Sequence, residues 1–201
     1  MKEEHAPLDV FALHAWVDES MQMPGQEREG LYLLAAAVAS PATCDPVREN
    51  LRELLLKGAE RLHWRDESAP RRAKIASAIA NHDLVHVVVV GAPIDARKQE
   101  RARRQCMERL VFELGVLGVS QVWLETRTSS LNERDRRMFA ALHAKNAMPA
   151  RLRIDFALPT DEPMLWVADA VAGAVGQARR GFALDVRDAL GHGIDEIDIS
   201  L

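Results

Sequence analysis

The chain has 201 residues, 48% of them hydrophobic and 28% charged, with a formal net charge of −4. That length supports one substantial core rather than two domains, and the acidic balance argues against a generally basic nucleic-acid-binding surface. The opening Met-Lys-Glu-Glu-His-Ala-Pro lacks the basic start and apolar run of a signal peptide, and no apolar stretch can cross a bilayer uninterrupted, so a cytoplasmic protein without membrane association is expected.

Residues 10–18, Val-Phe-Ala-Leu-His-Ala-Trp-Val-Asp, read as a mostly buried strand with Asp18 at its carboxyl end, followed at once by Glu19 and Ser20. After a loop over residues 21–30, the small apolar run 31–39 suits a central strand, although it is rich in Ala for one. Asp45-Pro46 starts a helix with Val47, Leu51, Leu54 and Leu55 as its apolar stripe. Residues 61–64 suit a short third strand, residues 70–80 a helix, and residues 85–90 a fully buried strand ended by Gly91-Ala92-Pro93. Residues 98–114 form an amphipathic helix with Cys106, Met107, Leu110, Val111 and Leu114 on one face and the arginines largely on the other.

A strand near residues 119–126 places Val122 and Leu124 on one face and Gln121, Trp123 and Glu125 on the other, with Glu125 at its carboxyl end. Residues 131–144 read as a helix and 152–158 as a strand. The final helix lies between Glu162 and Arg179, and Asp169 is the only charged residue within it. Hairpin-like strands first and alternating helices later predict an α/β fold, a mixed sheet with helices on its faces. Residues 1–180 are read as the domain, and residues 181–201 as an acidic tail or an added edge strand.

Cys44 and Cys106 lack Cys-x-x-Cys spacing and are read as reduced thiols. His82 and His86 are four apart but straddle a helix end and a strand start, so they are rejected as a zinc pair. No Gly-rich phosphate loop, Gly-x-Ser-x-Gly elbow or His-Glu-x-x-His motif appears, which disfavours the chemistries those motifs serve. Arginines cluster at Arg71, Arg72 and Lys74, at Arg97 to Arg104, and at Arg134, Arg136 and Arg137; most are read as solvated helix faces, with phosphate contact as the alternative.

The acids remain. At helical spacing Leu165, Ala172, Gly173 and Gly176 share the face of Asp169, so the carboxylate points at whatever this helix packs on. Burying it costs several kcal/mol unless it is paired, hydrogen-bonded or metal-bound. A cap on a neighbouring loop or a pairing with Arg answers that need; so does a cation shared with Asp18 and Glu125. Carboxylates at two strand ends and on a final helix suit Mg2+ or Mn2+, hard cations that prefer oxygen ligands and serve in-line displacement at phosphorus. His63 and Asp66, in the mixed segment 63–67, are possible assisting groups, though Asp66 or Ser68 also serves as a helix cap. Arg127 suits either a phosphate or a nearby acid.

Val17-Asp18-Glu19-Ser20, Leu62-His63-Trp64-Arg65-Asp66-Glu67, Trp123-Leu124-Glu125-Thr126-Arg127 and Trp166-Val167-Ala168-Asp169-Ala170-Val171-Ala172-Gly173 together resemble the bacterial domain-of-unknown-function family number 3800 over most of the chain. The resemblance implies a ribonuclease H-like fold and a metal-dependent nuclease acting on nucleic acid. Asp18, Glu125 and Asp169 would be its catalytic metal ligands, with Glu19 assisting. Two features depart from the family pattern: Met-Gln-Met-Pro-Gly follows Ser20 in place of a Gly-rich continuation, and Glu stands at 125 where Asp is frequent. The alternative is a catalytically inactive ribonuclease H-like module that binds nucleic acid or a partner protein; a homo-oligomer is equally open.

Overall fold

The apolar runs of the sequence pair into one six-stranded mixed sheet. A computed structural model describes residues 12–23, 25, 29–191 and 193–201, so residues 10 and 11 of the expected first strand and residues 24 and 26–28 of the loop after it lie outside the described residues. Strands β1 (Leu13–Gln22), β2 (Leu31–Ala39), β3 (Val85–Ala92), β4 (Val119–Glu125), β5 (Arg153–Ala157) and β6 (Ile194–Ser200) lie in the order β5-β4-β1-β2-β3-β6. The first three form an antiparallel meander, whereas β4 and β5 run parallel to β1. Each of these two parallel strands follows a crossover helix, α3 (Gln99–Val116) and α4 (Ser129–Ala144), because parallel neighbours need a long return.

Helices α1 (Cys44–Glu53), α2 (Ala69–Ala80), α5 (Met164–Ala178) and α6 (Leu184–Ala189) cover the face that carries Trp16, Leu33 and Val88. The opposite face, with Ala15, Val17, Leu34 and Val89, is covered by α3 and α4. The fold is therefore α/β with a core on each side of the sheet, consistent with ribonuclease H-like architecture. The Ala-rich strand becomes intelligible here, since Ala35, Ala36 and Ala37 are fully buried and their small side chains admit helices on both sides. No helix among the described residues is long and apolar enough to cross a membrane.

Three expectations need correction. Strand β1 does not stop at Asp18 but runs on to Gln22, because its second half pairs with β2 as far as Gln22↔Leu31. Residues 61–64 form no strand; Trp64–Asp66 is a 3₁₀ turn, held by an Asp169 carboxylate on the Trp64 N–H and by Arg72 Nε on the Trp64 carbonyl at 2.9 Å. Arg103, expected on the solvent side of its helix, is buried. The acidic tail resolves into α6 and an edge strand, β6, parallel to β3.

Glycines set how closely α5 approaches. A Cβ at Gly173 would overlap the Trp64 indole, while one at Gly176 would overlap the far end of the flexible Gln22 side chain and make ordinary contact with Leu33. Gly173→Ala is therefore expected to cost about 1–3 kcal/mol through overpacking, despite the better helix propensity of Ala, and Gly176→Ala much less. Thermal melts of the two variants test this, and equal losses would show that Trp64 does not govern the approach.

His86 sits within β3 at 2% exposure with Nδ1 lacking a partner among the described residues, and burial pushes its pKa from 6.5 down to about 4. The unfolded chain then binds more protons at this group between those values, so the contribution of His86 to stability is full above pH 6.5 and falls as the pH drops to about 4. The loss approaches about 3 kcal/mol at the acid end. Urea titrations at pH 7 and pH 4 should show this loss in the wild type and not in His86→Met.

Candidate functional site

Register brings the first two acids together. Strands β1 and β4 pair in parallel as Trp16↔Trp123 and Val17↔Leu124, so Asp18 and Glu125 follow side by side, and the period of two points both toward the helix face shared by Trp16 and Trp123. Helix α5 crosses that face and contributes Asp169 from its second turn. Strand β4 ends at Glu125 while β1 continues to Gln22, which leaves a notch at the carboxyl end of β4 that opens to both faces of the sheet. The pocket there, about 220 Å³, is lined by Val17, Asp18, Glu19, Leu34, His63, Arg103, Glu125, Arg127 and Asp169.

The pocket is divided by charge. On the α5 side, burial raises the Asp18 carboxyl well above its ordinary range, and the carboxylates of Glu125 and Asp169 push it further; the Glu19 N–H at 2.7 Å opposes the shift. Asp169 is also raised by burial, partly offset by the Trp64 N–H that donates to Oδ2 at 2.7 Å. One Asp169 oxygen thus does cap a neighbouring turn. Glu125 accepts from Arg61 at 3.2 Å, a contact the sequence reading missed.

Among the described residues, no group of three or more His, Cys, Asp or Glu side chains is arranged to hold a metal ion as it stands. In donor type the three carboxylates suit a hard cation, and their mutual repulsion favours positive charge in the pocket. The chain matches no family model and no curated protein. The site therefore rests on its own geometry.

His63 lines the pocket and its Nδ1 lies 2.8 Å from Asp66, whose side chain is 79% exposed and does not reach the pocket. Glu19, one residue after Asp18, points to the opposite face of the sheet, where Tyr32 donates to it and the Arg103 guanidinium pairs with it. Arg103 also bonds Asp135 at 2.9 Å, and Arg127 reaches the same carboxylate at 2.9 and 3.0 Å and Glu100 at 2.9 Å. Arg127 therefore pairs with acids of the α3 and α4 helices and not with Glu125.

Arg103, Asp135 and Tyr32 were not singled out by sequence. The signal existed for two of them. Arg103 stands three, four and seven residues before Cys106, Met107 and Leu110, and Asp135 four and seven before Phe139 and Leu142, so each lies on its helix's buried stripe. A lone arginine on one apolar stripe and a lone aspartate on the next are complementary.

Of the arginine clusters, Arg71 and Arg72 are structural pins. Arg71 bonds the Leu54 carbonyl at 2.6 Å, and Arg72 bonds the carbonyls of Trp64 and Arg65. Both cysteines are free and buried, and burial pushes their thiols up, Cys44 to about 11 and Cys106 to about 12, as befits unreactive core residues.

Proposed function

We propose that this protein is a divalent-metal-dependent nuclease that hydrolyses phosphodiester bonds of RNA or DNA, with Asp18, Glu125 and Asp169 holding Mg2+ or Mn2+. One observation carries the reading: three carboxylates from three separate elements share one pocket, in which burial and neighbouring carboxylates disfavour the ionised forms of Asp18 and Asp169. Nothing in the packing of the sheet requires that expense, and a cation relieves it. Motif resemblance to the family named above supports the same conclusion.

When bound, such a cation supplies charge neutralisation and water activation for displacement at phosphorus. The chain's own groups divide the remaining work. Asp18, on the sheet, and Asp169, on α5, fix the cation from two rigid elements. Glu125, which accepts from Arg61, would be the third group to hold it. Arg103 and Arg127 form the cationic wall opposite, suited to the non-bridging oxygens of a phosphate. His63, oriented by Asp66, stands at the pocket to accept or return a proton.

A panel of single-stranded, duplex and hybrid RNA and DNA, incubated with Mn2+ or Mg2+ and with chelator, tests this directly. Cleavage that requires the cation is expected, together with a rise in melting temperature; a cation at a hundred times its dissociation constant adds about 2.7 kcal/mol. Absence of both would favour the catalytically inactive module. The specific observation on that side is that Glu125 and Asp169 each already have a protein partner, Arg61 and the Trp64 N–H.

A further inference from the structure

Beside the carboxylate pocket, a second groove of about 310 Å³ runs between α3 and α4, lined by Arg103, Arg104, Arg134 and Arg137 against Glu100 and Asp135. Arg103 lines both cavities, so the groove adjoins the pocket on its arginine side. Its inner end is built rather than incidental: the Arg103 side chain is 6% exposed and the Asp135 side chain that anchors it 4%. Nearby, Arg127 Nε is buried without a hydrogen-bond partner among the described residues, a donor still unsatisfied at the junction. Farther out, Arg134 has no hydrogen-bond or ion-pair partner among the described residues, while Arg104 and Arg137 have only the solvent-exposed acids Glu108 and Glu133, pairs that exchange readily for another anion. In a chain of net charge −4, a cationic groove that leads out of an acidic pocket is a local device, not an overflow of general basicity.

We propose that this groove binds the sugar–phosphate backbone flanking the reacting phosphate, so that the substrate is an extended nucleic-acid strand spanning both cavities and not a mononucleotide-sized diester. This rests on the nuclease reading for its reacting phosphate but on the arginine groove alone for its binding. Arg103 and Arg127, clamped by Asp135, mark the junction where the strand passes from one cavity to the other, and Arg134 and Arg137 take successive phosphates beyond it. Contacts of this kind go to phosphates and carry no base preference.

The test is fluorescence anisotropy with labelled single strands of about 15 nucleotides, a length within the usual reach of one single-strand-binding domain, in chelator so that no cleavage intervenes. Arg134→Glu/Arg137→Glu is compared with the wild type and with Arg52→Glu/Arg153→Glu, which makes the same charge change elsewhere. Parallel DNA and RNA arms show whether the sugar matters. The expected result is at least a tenfold weaker affinity and a salt slope reduced by about two for the groove variant, with much smaller changes in the control. Equal losses in both variants, or no binding by the wild type, would overturn the proposal. Its fate separates from that of the nuclease: a wild type that cleaves while its binding ignores the groove sinks the groove alone, and groove-dependent binding without cation-dependent cleavage sinks the nuclease alone.

Discussion

Asp18→Asn is expected to melt several degrees above the wild type in cation-free buffer at neutral pH while losing cleavage by about 10²-fold or more, the scale of removing one preorganised charge-stabilising group. The direction of the stability change follows from linkage. An unfolded Asp carboxyl ionises near 3.8, and in the fold burial, Glu125 and Asp169 hold the Asp18 proton on to higher pH. At this group the folded protein then binds more protons than the unfolded one in that window, so the Asp18 contribution to stability is greatest at low pH and is lost as the pH rises through the raised folded pKa. The neutral amide removes that loss. Wild type and variant should therefore converge on acidification and separate toward neutral pH, by about 2–4 °C for each kcal/mol in a chain of this size. Added Mn2+ should close the gap by stabilising the wild type only. Asp169→Asn should gain less, because the Trp64 N–H already offsets part of the burial that raises the Asp169 pKa and is accepted more weakly by a neutral amide oxygen. A variant that melts below the wild type at every pH would mean that Asp18 is an ordinary satisfied core acid.

The second large effect lies on the other side of the sheet. Asp135→Ala should destabilise the protein by up to about 3–5 kcal/mol, because it removes the carboxylate shared by two guanidinium groups and leaves Arg103 with Glu19 and Arg127 with Glu100 alone. Burial works against the charge of Arg103, yet Glu19 and Asp135 outweigh it and hold the group protonated, so the arginine cannot escape the loss by releasing its proton. Arg127, which bonds both Asp135 oxygens, loses its anchor as well. Replacing the pair together, Asp135→Leu with Arg103→Met, should recover part of the loss, since apolar residues of similar volume carry no desolvation penalty, while Glu19 keeps Tyr32 and Arg127 keeps Glu100. Chemical denaturation of Asp135→Leu, Arg103→Met and the double variant closes the cycle. Additive losses would show that the two charges do not act as a unit.

These two predictions mark what sequence made legible. Strong periodicity and turn residues located β2, β3, α3 and α5, and isolated acids at Asp18, Glu125 and Asp169 are visible because each interrupts an apolar pattern. What brings them together is strand register, Val17 beside Leu124, which is a property of pairing between distant segments and leaves no mark in either one. The end of the first strand was misjudged for the same reason: residues 19–22 look like loop when read alone and become strand only because β2 lies alongside. Residues 61–64 failed in the opposite sense. Their β-like composition yields to a tertiary hydrogen bond that the Trp64 N–H donates to Asp169, more than a hundred positions later. The Arg103–Asp135 pair leaves only a weak mark in the sequence, because arginine on a helix is usually solvated, although helical spacing puts both residues on buried stripes.

Strand β6 has a consequence for how the molecule meets copies of itself. Without it, the outer edge of the sheet would be β3, whose Val87, Val88, Val89 and Val90 form an unbroken β-prone run with open backbone donors and acceptors. With it, the outer rim becomes Ile-Asp-Glu-Ile-Asp-Ile-Ser, in which Glu196 and Asp198 are tied to Arg179 and Glu196 also to Arg187. The opposite rim, β5, carries Arg153 and Asp155. A strand arriving at either rim meets charge, so the polypeptide's stickiest segment is shielded against templated stacking by its own last strand.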